Sequence, residues 1–427
     1  MSCSSVIQRQ EFVATYWVES SVSLERAADL IACEQSSGTF LKLPGETAEL
    51  QARARARVVA VAATGISPTP SLASARLMRD QRLAKYVQGE VVIAFPVANV
   101  GTDLPTFLAT VAGNLFELGE ITGLRLLDLD LPDDYIAGFP GPQFGIAGTR
   151  SMAGRPDGPL IGTIIKPSIG LTPEQTAHLV DALCEGGIDF IKDDELIADP
   201  PYAPFADRLH AVLPVLLRHA DRLGRMPMYA INISGSADEM RRRHDMVHAA
   251  GGTCVMVSVN CVGYGAFKDL RAHAQLPIHG HRNGWGVLGR SPVVGMAFEA
   301  YQKLWRLAGV DHLHVNGLSN KFWEPDDSVI RSAHACLAPW GPAKALMPVF
   351  SSGQSAVQAA KTFALLGSQD LMHLAGGGII GHPQGIAAGV ASMRQGWEAA
   401  AQGTSAQEYA LTHPELREAL QAFGGRR

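Results

Sequence analysis

No stretch of this chain approaches the run of about 20 apolar residues needed to cross a bilayer, and its first twelve residues, MSCSSVIQRQEF, hold no apolar signal core. Those two absences argue against a membrane span and a secretory leader, so a cytoplasmic protein is expected. Cysteine is sparse: the six residues Cys3, Cys33, Cys184, Cys254, Cys261 and Cys336 form no Cys-x-x-Cys pair and no framework of close spacings. This argues against a structural zinc site and fits a reducing compartment. Nor is there a surplus of basic charge. The formal net charge is −5 and the lysines and arginines are dispersed, which leaves no electrostatic footprint for nucleic acid or an acidic membrane surface.

What is present is a chain of 427 residues, 47% hydrophobic and 18% charged, long enough for two or three globular domains. Residues 1–145 read as a small α+β unit. Strand-like segments FVATYWVE (12–19), ARVVAVAA (56–63), EVVIAFPV (90–97) and LRLLDLDLP (124–132) are joined by helical spacing at 24–35 and near 106–118. The order β-α-β-β-α-β is that of a ferredoxin-like domain. ARARAR (52–57) invites a nucleic-acid reading, but at period two it is expected to be the solvated face of a strand. The Gly- and Pro-dense stretch 136–150 reads as a linker.

From 146 to 427 the pattern changes. Eight short apolar runs, ending at Lys166, Lys192, Ile233, Val259, His281, Val315, Phe350 and Gly377, alternate with helix-length segments. That rhythm is the signature of a (β/α)8 barrel, in which the active site lies at the C-terminal strand ends. The residues found there are polar: Lys166; Lys192-Asp193-Asp194-Glu195; His281-Arg282; His312, His314 and Asn316; Ser351-Ser352-Gly353; Gly376-Gly377-Gly378. Such clustering points to an enzyme. Lys192 and Asp194 are two apart and face the same way on extended backbone, and Glu195 can join them. They suit a Mg²⁺ site if Lys192 becomes a carbamate; a surface ion-pair cluster is the alternative reading. The glycines after the seventh and eighth runs suit phosphate, although glycine also serves tight βα turns.

The motifs GTIIKPSIGL (162–171), GGIDFIKDDE (186–195), HGHR (279–282), DHLHVNGLSNK (311–321), PVFSSG (348–353) and LAGGGIIGHPQG (374–385) resemble, in order and spacing, those of the RuBisCO large subunit, and the resemblance extends upstream to CEQSSGTF (33–40) and GNLFEL (113–118). It implies that Lys192 is the lysine carbamylated by CO2, with Asp194 and Glu195 as the other Mg²⁺ ligands. By the same resemblance Lys166 assists enolisation, His281 is an active-site histidine, and Arg282, His314 and Ser351 surround the far end of the substrate. Thr39, Gly353, Gly376 and Gly377 form a phosphate site, and Lys321 on the mobile loop holds a carboxylate or CO2. Asn114 and Thr39 belong to the domain that completes a neighbouring subunit's site, so a homodimer or larger homo-oligomer is implied.

Four departures from RuBisCO set the expectation of a RuBisCO-like protein (form IV) in place of a carboxylase. Ser168 stands where a second lysine occurs, Phe40 where a tryptophan occurs, Trp285 where a histidine occurs, and Asn320 where a glycine precedes the loop lysine. The chemistry expected is Mg²⁺-dependent enolisation of a small phosphorylated sugar or sugar acid. Retention of both Lys166 and Lys321 favours decarboxylation of a 3-oxo sugar-acid phosphate of the 3-oxo-isoapionate 4-phosphate type. The alternatives are a tautomerase or isomerase acting on a phosphorylated ketose such as 2,3-diketo-5-methylthiopentyl 1-phosphate, a true carboxylase, and a catalytically silent sugar-phosphate-binding barrel.

Overall fold

The structure is a computed structural model that describes residues 11–38, 43–79 and 85–425. Strands are numbered β1 to β13 in chain order. The chain divides into two compact units: the first runs to Phe139 and also takes Gly284–Leu307 and Gly341–Ala343, and the second takes the remainder.

The first unit is built on β1 (Glu11–Ser20), β2 (Arg57–Ser67), β3 (Tyr86–Pro96) and β4 (Ile121–Asp130). These pair antiparallel in the order β4-β1-β3-β2, and β10 (Val294–Met296) adds a parallel edge beside β4. The helix Leu24–Glu34 is capped by Ser23, whose Oγ accepts from the Arg26 N–H, and it buries Leu24, Ala27, Ala28, Ile31 and Ala32 along one stripe. The ARARAR stretch differs from expectation. Its first half ends the helix Ala48–Ala54, and only Arg57 lies in a strand. Arg53, Arg55 and Arg57 are nonetheless exposed.

The second unit is a closed parallel barrel of β5 (Leu160–Ile164), β6 (Phe190–Lys192), β7 (Met228–Asn232), β8 (Cys254–Ser258), β9 (Ile278–His281), β11 (His312–His314), β12 (Met347–Phe350) and β13 (Met372–Leu374). These are the eight apolar runs. Strands covered on both faces keep no polar alternation, which is why they read as continuous hydrophobic stretches. Their inward side chains, among them Leu160, Phe190, Met228, Met256, Met347 and Met372, form the core.

The stretch read as a linker is partly structural. Residues Gly145–Ala153 form a helix whose Ala153 joins the barrel core, and the N–H groups of Phe144 and Gly145 donate to the buried Asp311. Thr149 Oγ1 lies 2.8 Å from His312 Nε2, so His312 belongs to the deep end of the barrel and not to its rim. His312 and His314 both point inward, but one layer apart.

Candidate active site at the mouth of the barrel

The charged segment after β6 resolves into two faces. Asp193 turns away from the barrel axis and is fully buried, 3.1 Å from Arg208 of the helix Phe205–Leu223; it also accepts from the Tyr229 hydroxyl and the Asn232 N–H. It is therefore a paired structural charge. Lys192 faces inward, 1% exposed, with Nζ 4.0 Å from Glu195 Oε2. Asp194 accepts from Lys166 Nζ at 2.7 Å across the β5–β6 pair. Asn232 donates its side-chain amide to the carbonyls of Asp194 and Glu195 and fixes the backbone that presents them.

Burial dominates the Lys192 amine and pushes it down to about 8, against the pull of Glu195, Asp194 and Asp193. A lysine so shifted is neutral in about a tenth of the molecules at pH 7, far more than an ordinary lysine, and only the neutral amine attacks CO2. Burial also raises Asp194, but the hydrogen bond and charge of Lys166 and the charge of Lys192 outweigh it and hold the carboxyl below its usual range. Ser168, in the place of a second lysine, accepts a hydrogen bond from Lys166.

Three imidazoles continue the mouth. His281 Nε2 lies 3.4 Å from Glu195 Oε2, and its ring centroid is 4.6 Å from that of His314. His314 bridges His279 Nε2 at 2.8 Å and Ser351 Oγ at 2.9 Å. Burial pushes His281 down to about 3 and His279 and His314 well below the usual histidine range, so all three are neutral at pH 7. They offer hydrogen bonds without adding positive charge beside the carboxylates.

The loop after β11 carries Lys321, which is exposed; its N–H donates to Ser352 O at 3.4 Å. A side chain at Gly353 would begin 3.7 Å from Lys321 Cβ, and one at Gly376 the same distance from Lys166 Cγ. Lys166, Lys192, Asp194, Glu195, His281, His314, Ser351, Gly353, Gly376 and Lys321 thus belong to one mouth. Arg282 is there too, but its guanidinium is bound to Glu324, a residue with no sequence signal because it reads as one more acid at a helix start. Asn114 opens a short 3-10 turn in the first unit, where Trp285 packs on Tyr301. Thr39 and Phe40 lie outside the described residues. His373 is a core histidine, bonded to the Trp397 indole and close to Gln354.

The donor set of Asp194, Glu195 and a Lys192 carbamate would be all oxygen, the hard set that Mg²⁺ takes, and the buried amine of lowered pKa suits carbamate formation. The residues present fit that metal.

The chain matches the family "Ribulose bisphosphate carboxylase large chain, N-terminal domain" over residues 4–135 and the corresponding catalytic domain over residues 145–423. It belongs to the ribulose bisphosphate carboxylase large-chain family. Among curated relatives it is 54% identical to a 3-oxo-isoapionate-4-phosphate transcarboxylase/hydrolase of Xanthobacter autotrophicus, covering 95% of this chain and 98% of that one. It is 44% identical to a 3-oxo-isoapionate-4-phosphate decarboxylase of Rhizobium etli, covering 96% and 98%. A solved RuBisCO-like protein from Burkholderia fungorum superposes with a TM-score of 0.92 at 46% identity, covering 97% of this chain and all of that one. Within the family the chain is a RuBisCO-like enzyme. Its described helices include none long and apolar enough to cross a membrane.

Proposed function

We propose that this RuBisCO-like protein is a Mg²⁺-dependent carboxy-lyase that removes the carboxylate of a 3-oxo sugar-acid phosphate of the 3-oxo-isoapionate 4-phosphate type. The observation that carries this reading is the presence of both Lys166 and Lys321 at one barrel mouth, either side of the glycines Gly353 and Gly376. Enolisation alone needs only the first lysine.

Carbamylated Lys192, Asp194 and Glu195 would hold Mg²⁺, which when bound supplies Lewis-acid polarisation of the 3-oxo carbonyl. Lys321 orients the departing carboxylate by charge. The bond between the α carbon and the carboxylate breaks, its electron pair passes into the carbonyl as an enolate, and CO2 leaves. Lys166, held between Ser168 and Asp194, keeps a proton within reach of the α carbon and returns it. Gly353, Gly376 and Gly377 present backbone N–H groups to the phosphate, and by the family resemblance Thr39 belongs to the same phosphate site. Neutral His281 lines the sugar end of the mouth, and His314, with both ring nitrogens engaged, positions the Ser351 hydroxyl that faces the substrate. Thr39 and Asn114 would come from a second subunit, in a homodimer or larger homo-oligomer, and the compartment proposed is the cytoplasm.

The name of the 54% identical relative favours a second outcome for the same substrate. A 3-oxo acid can also break between its α carbon and its ketone carbon, with water supplying the hydroxyl of a second acid. Lys321→Ala tests the first reading. It is expected to lower release of ¹³C-labelled CO2 by roughly 10²-fold while the dissociation constant for a sugar monophosphate changes by less than about threefold. Undiminished CO2 release in the variant would remove the loop lysine from the mechanism.

Carbamate formation carries its own pH signature. The reactive species is the neutral amine, so below the Lys192 value of about 8 the rate falls with the neutral fraction, and above it the rate levels off. At fixed dissolved CO2, ¹³CO2 trapping followed by mass spectrometry should give a curve that rises with pH and flattens near 8. A curve still rising in proportion above pH 9.5 would mean an amine of ordinary basicity.

A further inference from the structure

The loop that carries Lys321 ends in a carboxylate at the barrel mouth instead of in solvent. The Glu324 side chain is 1% exposed; its Oε2 accepts from Arg282 Nη2 at 2.6 Å and from Asn316 Nδ2 at 2.6 Å, and its Oε1 accepts from Ser328 Oγ at 3.1 Å. The Arg282 side chain is 5% exposed. A guanidinium in such a position is the group best shaped to grip a phosphate. Here its counter-anion is supplied by the chain itself.

The neighbouring geometry keeps that carboxylate in place. Asn320 donates to the carbonyls of Gly317 and Glu324 and accepts from the Phe322 N–H, so the position occupied by glycine in RuBisCO carries a side chain that braces the loop. Asn316 and Ser352, at the ends of β11 and β12, have φ of 68° and 73°, uncommon for residues with a side chain, and Ser352 Oγ donates to Asn316 Oδ1 at 3.0 Å. Ser352 thus holds Asn316, and Asn316 and the loop's Asn320 in turn hold Glu324.

We propose that Glu324 determines specificity by occupying the anion position at Arg282, so that the mouth takes substrates with one phosphate and refuses those with two. A second phosphate placed there would face a buried carboxylate of like charge, or would have to break the pair and leave Glu324 unpaired. The proposal rests on the reading of this mouth as a sugar-phosphate site and adds the residue that limits it to monophosphates.

The test is calorimetric binding of ribulose 5-phosphate and ribulose 1,5-bisphosphate to the full chain with Mg²⁺ and bicarbonate. The wild type should bind the bisphosphate no more tightly than the monophosphate. Glu324→Gln keeps the size and an acceptor oxygen but removes the charge, and it should shift the ratio toward the bisphosphate by about tenfold or more. Tighter binding of the bisphosphate by the wild type, or an unchanged ratio in a folded Glu324→Gln, would overturn the proposal. Should that variant fail to fold, the wild-type ratio decides alone. Failure of both ligands to bind the wild type would instead overturn the sugar-phosphate reading, and this inference with it.

Discussion

Lys192→Ala should cost roughly 10²–10³-fold in turnover, the scale seen when a principal electrostatic element of an active site is removed. Lys192 is 1% exposed at the base of the mouth, and its burial favours the neutral form that CO2 requires. Without it, Asp194 and Glu195 alone must hold a divalent ion that prefers six oxygens. The same substitution has a readout independent of turnover. Ligands that bind only the folded state stabilise it by about 2.7 kcal/mol at a hundredfold excess over their dissociation constant. Mg²⁺ with bicarbonate should therefore raise the melting temperature of the wild type by several degrees and leave Lys192→Ala unmoved. An equal shift in both proteins would place the metal elsewhere.

The second large effect is on stability. Arg208→Met should destabilise the barrel by about 3–5 kcal/mol, because it leaves the Asp193 carboxylate buried without its counter-charge. Both side chains are at most 1% exposed, and Arg208 also donates to the carbonyls of Ala198 and Ala203, tying down the loop that follows Lys192-Asp193-Asp194-Glu195. Denaturant midpoints should show the loss. Arg241→Met, which removes an exposed ion pair with Asp238, should leave the midpoint unchanged within error and serves as the control. Loss of no more than that control in Arg208→Met would mean that Asp193 is held by Tyr229 and Asn232 alone.

The barrel was legible because its strands are covered on both faces and read as apolar runs, each stopped by polar residues at its C-terminal end. The division of labour in Lys192-Asp193-Asp194-Glu195 was half legible. Period two puts Lys192 and Asp194 together, but the partner of Asp193 lies 15 residues on, in a helix whose arginines look alike in sequence. The helix Gly145–Ala153 was hidden by its glycines, and its reason for being helical is tertiary: Asp311 accepts its first N–H groups and the barrel core takes Ala153. β10 was hidden by length. Three residues, one of them Gly295, carry no periodicity, and the strand exists because β4 offers an edge. Glu324 was missed for a charge-pattern reason, since acids before a helix ordinarily face solvent and complement its dipole. Only the fold shows that this one turns inward to Arg282.

The measurement that bears most directly on the proposed activity is product analysis with 3-oxo-isoapionate 4-phosphate labelled with ¹³C at the carboxylate. Wild type and Lys192→Ala would be compared with Mg²⁺ and bicarbonate, with 2,3-diketo-5-methylthiopentyl 1-phosphate and ribulose bisphosphate as competing candidates. Label appearing as CO2 from the first substrate, absent in Lys192→Ala, is the expected result. Label retained in an organic acid would mean hydrolysis on the other side of the α carbon or transfer of the carboxyl in place of its release, and turnover of either other substrate with none of the first would contradict the account.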